Sequence, residues 1–173
     1  AKGRKIIGWD ELLECNVDQS ATIMSWRGAE PGAQAAALGH DVIMTPNSHA
    51  YFDYYQTANN HNEPLLIGGD LPIEKTYSFE PIPEGTPAEA GKHILGVQAN
   101  LWTEYIASEP LAEYQVLPRM GALSEVQWME PAQKDFKNFV KRVECLRAIY
   151  ELKGYTYAKH LWPEEYLKGS REL

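Results

Sequence analysis

Thr22-Ile23-Met24-Ser25-Trp26-Arg27-Gly28, then Gly32-Ala33-Gln34-Ala35-Ala36-Ala37-Leu38-Gly39, then Asp41-Val42-Ile43-Met44-Thr45, decide the fold class. The first and third pieces hold short apolar runs of the kind buried on both faces in a parallel sheet. The middle piece has helical composition, is opened by Pro31 where a missing N–H costs nothing, and stops at Gly39. Strand, helix and strand in that order make a parallel unit. Upstream, Lys5-Ile6-Ile7-Gly8-Trp9 reads as another strand, stopping at the carboxylate pair Asp10-Glu11. Downstream, His93-Ile94-Leu95-Gly96-Val97-Gln98-Ala99 reads as a fourth, stopping at Asn100-Leu101-Trp102-Thr103-Glu104.

The expected class is therefore α/β, with about four parallel strands and their helices. That is half of an eight-stranded (β/α)8 TIM barrel, whose usual size is about 250 residues against the 173 here. The first two strands follow each other more closely than the roughly 30 residues of a full strand-helix-strand unit, so the helix after Trp9 must be abbreviated. A small doubly wound sheet fits the same rhythm. The missing glycine-rich phosphate loop argues against its nucleotide-binding forms. Between Pro46 and Lys92 lies a long stretch rich in Pro, Gly, Asn and Tyr, expected to be a functional loop with one short helix from Pro72 to Tyr77. A helix is expected from Leu111 to Ser124 despite Pro118. Phe136, Phe139, Val140, Val143, Leu146, Ile149 and Tyr150 recur at helical spacing and predict a helix from Asp135 to Lys153.

The balance of 16 Lys and Arg against 24 Asp and Glu, net −8, with no basic cluster, argues against a nucleic-acid partner. No apolar run approaches the roughly 18 residues that span a bilayer, and Ala1 to Lys5 lead into no signal-type stretch. Cys15 and Cys145 match no metal or redox spacing and are expected to be buried free thiols. His40, His49, His61, His93 and His160 show no ligand spacing, so neither zinc nor any other cofactor is expected. Ser25 and Ser48 lack the glycine-flanked elbow of a hydrolase serine.

In a parallel α/β architecture the C-terminal ends of the strands converge on one face. Here they offer Trp9, Asp10, Glu11, Trp26, Arg27, Trp102 and Glu104, with Tyr51 and Asp53 close after the third strand. Tyr-x-Asp and Trp-x-Glu in extended chain each place both side chains on one side. A flat ring beside a carboxylate suits a sugar, whose axial C–H groups lie over the ring while its hydroxyls donate to the acid. Core filling by the tryptophans is the plainer account of any one of them. Asp10-Glu11 reads either as a catalytic pair or as a cap on the abbreviated helix, and Gly68-Gly69-Asp70 as a turn.

Ile6-Ile7-Gly8-Trp9-Asp10-Glu11, Met24-Ser25-Trp26-Arg27-Gly28, Asp41-Val42-Ile43-Met44-Thr45-Pro46, Tyr51-Phe52-Asp53 and Gly96-Val97-Gln98-Ala99-Asn100-Leu101-Trp102-Thr103-Glu104, in this order, resemble the C-terminal half of a family 20 glycoside hydrolase, a β-N-acetylhexosaminidase. The resemblance runs from Gly3 to Glu130 and more weakly beyond. It implies that residues 1–173 are the C-terminal portion of one catalytic barrel domain. It also implies substrate-assisted retention, in which the 2-acetamido oxygen of the substrate attacks its own anomeric carbon, an exception among two-carboxylate glycosidases. By the same resemblance Trp9 and Trp26 would wall the acetamido methyl and Trp102 would floor the ring. Tyr51, the catalytic candidate, would hold the acetamido oxygen, Asp53 would reach the 6-hydroxyl region, and Glu104 would bind the 4-hydroxyl.

The family's general acid belongs to a His-x-Gly-Gly-Asp-Glu motif that is absent from this sequence, and Asp10-Glu11 match a different family segment. The acid is thus expected upstream, which makes the N-terminal half of the barrel a partner and leaves the isolated chain inactive. The other implied partners are glycans containing N-acetylglucosamine or N-acetylgalactosamine, and the relatives suggest a periplasmic or secreted location. A non-catalytic carbohydrate-binding module and a small α/β interaction domain with tryptophans only in its core are the alternatives from other classes.

Overall fold

The computed structural model describes residues 3–169. They form two compact groups. The first holds the residues up to Ala50 together with Glu80–Ala99, and the second holds Tyr51–Phe79 and the residues from Asn100 onward.

The first group contains β1 (Ile7–Trp9), β2 (Thr22–Ser25), α1 (Ala29–Ala37), β3 (Val42–Met44) and α2 (Asn47–Ala50). The element order then passes through α3 (Ile73–Tyr77) of the second group before α4 (Ala88–Gly91) and β4 (Ile94–Val97) complete the first. The four strands are parallel and lie in the order β1-β2-β3-β4. That order is the winding of a barrel, where each strand is laid beside its predecessor. A doubly wound sheet reverses direction at a switch point, and this sheet does not. Ile23, Val42 and Met44 are fully buried, as expected of central strands covered on both faces. The abbreviated helix after Trp9 is a single 3-10 segment, Asp10–Glu14. Between β3 and β4 the register slips, Val42 facing Ile94 while Ile43 faces Gly96. Gly96 absorbs the slip at φ +148°, a backbone state that side-chain-bearing residues rarely adopt.

The second group is built around α3 and the helices α5 (Glu109–Val116), α6 (Arg119–Trp128), α7 (Phe136–Lys153) and α8 (Pro163–Gly169), with a 3-10 turn at Pro131–Gln133. The single helix expected from Leu111 to Ser124 is two. A residue before proline is pushed out of helical geometry, and Leu117, at φ −99° and ψ 134°, ends α5 so that α6 begins at Arg119. Helix α7 starts where Asp135 caps the Asn138 N–H at 3.0 Å and runs as the periodicity predicts. Phe139 and Val143 pack on Ile73, Tyr77 and Ala122, with the rings of Tyr77 and Phe139 stacked at 4.8 Å. Ile149, counted in the apolar stripe, is half exposed. Both cysteines are exposed rather than buried, because Cys15 follows the end of the 3-10 segment and Cys145 sits on the solvent side of α7.

Candidate active site

The functional residues named from the sequence fall into two sets. Trp9 ends β1, and Trp26 directly follows β2, at the C-terminal ends of two neighbouring strands. The link between those ends is Asp10. Its buried carboxylate accepts from the backbone N–H of Trp26 at 2.9 Å and of Arg27 at 3.1 Å, and from Arg27 Nε at 2.5 Å. Glu11 accepts the indole N–H of Trp26 at 3.1 Å. Asp10 and Glu11 are therefore not a helix cap. They set the backbone and ring of Trp26, and no side chain caps the 3-10 segment.

Tyr51, Asp53, Trp102 and Glu104 lie together. With Tyr54 and Ile67 they line an open cleft of about 330 Å³. Two chain segments meet there: Tyr51 and Asn100 form a parallel bridge, and Phe52 N–H donates to the Asn100 carbonyl at 2.7 Å. Each segment contributes its i and i+2 side chains. The Tyr-x-Asp pair does this from a turn rather than from extended chain, since Tyr54 N–H closes on the Tyr51 carbonyl at 3.3 Å and Phe52 is buried. Gly68 and Gly69, both at positive φ, bend the chain where the turn was expected, and Asp70 pairs with Tyr55 in a parallel bridge. A Cβ on Gly69 would stand 2.6 Å from the Tyr54 ring, so glycine there is what lets that ring pack edge-on to Tyr51 at 5.7 Å.

The four side chains differ in exposure and in electrostatics. Trp102 is 42% exposed, an unusual surface for a ring of that size and one that a flat apolar ligand face would cover. Glu104 is exposed, whereas Asp53 is 4% exposed, and its Oδ1 has no hydrogen-bond partner. Burial pushes the Asp53 carboxyl above its usual range. N–H donation from its own backbone and that of Trp102 opposes this, the neighbouring charge of Glu104 adds to it, and the charge of Arg119 counters it. Burial also raises the Tyr51 phenol, although the indole of Trp102 and the amide of Asn100 donate to its oxygen. Tyr51 is thus a neutral phenol at any physiological pH. An oxygen already accepting from two N–H groups is poised to use its own hydrogen as a donor.

Arg119 and Gln115 escaped the sequence reading. Both are completely buried, and both hold the turn that carries Tyr51 and Asp53. The available signal was a single Arg immediately after a proline, in a helix whose neighbours Ala122, Leu123 and Val126 are core residues. Among the described residues no group of three His, Cys, Asp or Glu side chains could hold a metal ion.

The chain is 43% identical over 156 residues to a β-hexosaminidase of Porphyromonas gingivalis, a match covering 90% of this chain and 20% of that protein. It is 30% identical over 161 residues to a β-N-acetylhexosaminidase of Cellulomonas fimi, covering 90% of this chain and 32% of that one. It thus spans between a fifth and a third of the length of these curated relatives. The fold matches that of a GH20 exo-β-N-acetylglucosaminidase from Vibrio harveyi, solved in complex with N-acetylglucosamine, with a TM-score of 0.82 and 31% identity over 92% of this chain and 25% of that one. The α/β architecture is accordingly part of a TIM barrel. The family described as glycosyl hydrolase family 20, catalytic domain, matches residues 1–131, and the chain belongs to that family.

Proposed function

We propose that this chain is the C-terminal part of a β-N-acetylhexosaminidase barrel and supplies much of the pocket for the terminal N-acetylhexosamine. The observation that carries the reading is the cleft in which an exposed indole, a neutral phenol and two carboxylates in different environments face one space. Trp102 would lie beneath the pyranose ring. Buried Asp53, with an oxygen lacking a partner, would accept from the 6-hydroxyl, and exposed Glu104 from the 4-hydroxyl. Tyr51 would donate its O–H to the acetamido oxygen and hold it in line with the anomeric carbon, so that the substrate's own amide acts as nucleophile. Trp9 and Trp26 would contribute apolar wall around the acetamido methyl, with Trp26 held by Asp10 and Glu11.

The family resemblance assigns the general acid to none of these cleft residues, and the 173 residues contain no His-x-Gly-Gly-Asp-Glu motif. In this reading the Asp-Glu pair comes from the preceding half of the barrel. Terminal N-acetylglucosaminides or N-acetylgalactosaminides would be the substrates, and a periplasmic or secreted location is proposed with them. The direct test is release of aryl alcohol from an aryl N-acetyl-β-glucosaminide by the full-length enzyme carrying this chain. Absence of turnover on both the gluco and galacto substrates, with sugar binding retained, would favour the non-catalytic binding module instead.

A further inference from the structure

We infer that Arg119, seconded by Gln115, is the positioning residue that fixes the Tyr51–Tyr54 turn and thereby aims Asp53 at the sugar; this rests on the reading of the cleft given above. Arg119 is wholly buried, yet its hydrogen bonds run to main-chain carbonyls rather than to a carboxylate. Nη2 donates to Phe52 at 2.5 Å, Nη1 to Tyr54 at 3.2 Å and to Leu71 at 3.1 Å, and Nε and Nη2 both reach Gln115 at 3.1 and 2.6 Å. Gln115 Nε2 adds longer contacts to the carbonyls of Asp53 at 3.4 Å and Tyr54 at 3.3 Å. Three successive carbonyls, those of Phe52, Asp53 and Tyr54, are therefore gripped from the junction of α5 and α6. The guanidinium also lies over the Phe52 ring, 4.9 Å from its centre.

Burying a guanidinium is costly, and packing alone would be served as well by an apolar side chain of similar size. Only a planar fork with several donors can engage carbonyls on separate segments at once, and a lysine presents a single point charge instead. What the grip fixes is the backbone on either side of Asp53. The side chain of that residue is almost fully enclosed and has one oxygen without a partner. Loosening the turn would let the carboxylate swing away from the hydroxyl it is meant to receive. Burial lowers Arg119 to about 9, so it is still a cation at neutral pH, and Asp53 is the acid whose charge supports it most.

A residue that merely holds the fold would lower the amount of working enzyme and affect all substrates alike. A residue that aims Asp53 changes the preference between substrates. The test uses the full-length enzyme with an aryl N-acetyl-β-glucosaminide and its 6-deoxy analogue, comparing the two kcat/KM values so that the folded fraction cancels. The parent is expected to favour the 6-hydroxyl substrate by about 10- to 100-fold, the usual worth of a hydrogen bond to a charged group. Arg119→Lys should compress that preference to within about threefold. If Arg119→Lys does not fold, Gln115→Met, which removes the side-chain donor on the Asp53 and Tyr54 carbonyls, should compress it at least about threefold. Equal loss on both substrates, with the preference kept, overturns the inference. A parent that hydrolyses both substrates alike also overturns it. A parent that hydrolyses neither overturns the functional reading on which it rests.

Discussion

Nε2 of His160 lies 2.8 Å from Oε1 of Glu63, whose side chain is completely enclosed. The same carboxylate accepts the phenolic O–H of Tyr114 at 2.8 Å and of Tyr166 at 2.9 Å. Tyr114 belongs to α5, and the carbonyl of Tyr114 accepts from Gln56 at 2.6 Å, just beyond the turn that carries Tyr51 and Asp53. Glu63 thus ties the long loop to α5, to His160 and to α8.

Burial pushes the Glu63 carboxyl up, but hydrogen bonds with His160 and Tyr114, then the charge of His160 and the bond from Tyr166, outweigh it. The net position is below the usual 4.5. A carboxyl lowered on folding adds stability that is present above pH 4.5 and is lost as pH falls through its lower folded value. Glu63→Gln should flatten the acid limb of the stability curve and cost about 1–3 kcal/mol at pH 7. Denaturant titrations from pH 3 to 7 check this. An unchanged acid limb in the variant would show that Glu63 is not the linked group.

Asp53 has the opposite sign. Its carboxyl is raised on folding, chiefly by burial, so folding is favoured below pH 3.8 and that advantage is lost as pH rises through the higher folded value. Asp53→Asn should therefore melt higher than the parent at pH 7, with the difference vanishing below about pH 3.8. Its kcat/KM on the aryl N-acetylglucosaminide should fall about tenfold or more. A variant less stable than the parent at pH 7 would mean that the charge of Arg119 depends on Asp53 more than burial opposes it.

Asp10 should behave as a structural residue. Its carboxylate serves two backbone N–H groups from inside the protein, and alanine would leave them buried without an acceptor. Asp10→Ala is expected to cost about 2–4 kcal/mol of stability. The pH dependence of kcat/KM for the remaining folded enzyme should keep its shape. A lost acidic or basic limb in that profile would instead return Asp10 to the reaction.

Strand number, direction and approximate bounds were legible because central parallel strands are written as short apolar runs between polar stops. Ile23, Val42 and Met44 carry that signal directly. The cleft residues were legible through family motifs. Spacing alone would have put Tyr51 and Asp53 on extended chain, where the structure has a turn. Arg119 was illegible because its value comes from carbonyls 48 to 67 residues away, which no local pattern records. The contacts of Asp10 and Glu11 were illegible for the same reason, since their partners, Trp26 and Arg27, lie at the next strand's end.

In the proposed reading the general acid comes from the preceding half of the barrel, and because general acid assistance is worth roughly 10²- to 10⁴-fold, the isolated 173-residue chain should not hydrolyse aryl N-acetylglucosaminides. It should also associate. The outer strands of the four-stranded sheet carry Ile7 and Leu95, 61% and 60% exposed, an apolar surface open to association. Light scattering and an activity assay on the purified chain check both points. A stable monomer with sharp cooperative unfolding would describe a complete small domain, and turnover abolished by Glu11→Gln would overturn the mapping of the site.

Tyr51 offers the sharpest test of the proposed chemistry, in the full-length enzyme. Its phenol stays neutral, and its oxygen accepts from the indole of Trp102 and the amide of Asn100, so the O–H is the part of the residue suited to an amide oxygen. That contact aligns the acetamido oxygen with the anomeric carbon, which counts as the new bond forms, whereas contact with the face of Trp102 serves the ground state and the transition state alike. Tyr51→Phe should therefore lower kcat more than it raises KM. By analogy with other preorganised donors the loss is on the order of 2–4 kcal/mol, or roughly 30- to 1,000-fold in kcat. The ring's edge contact with Tyr54 survives in phenylalanine, so packing alone predicts an almost unchanged rate. Steady-state kinetics on the aryl N-acetylglucosaminide separate the two accounts. A Tyr51→Phe enzyme within about threefold of the parent kcat, under about 0.7 kcal/mol, would remove Tyr51 from the reaction and leave it as a wall of the cleft.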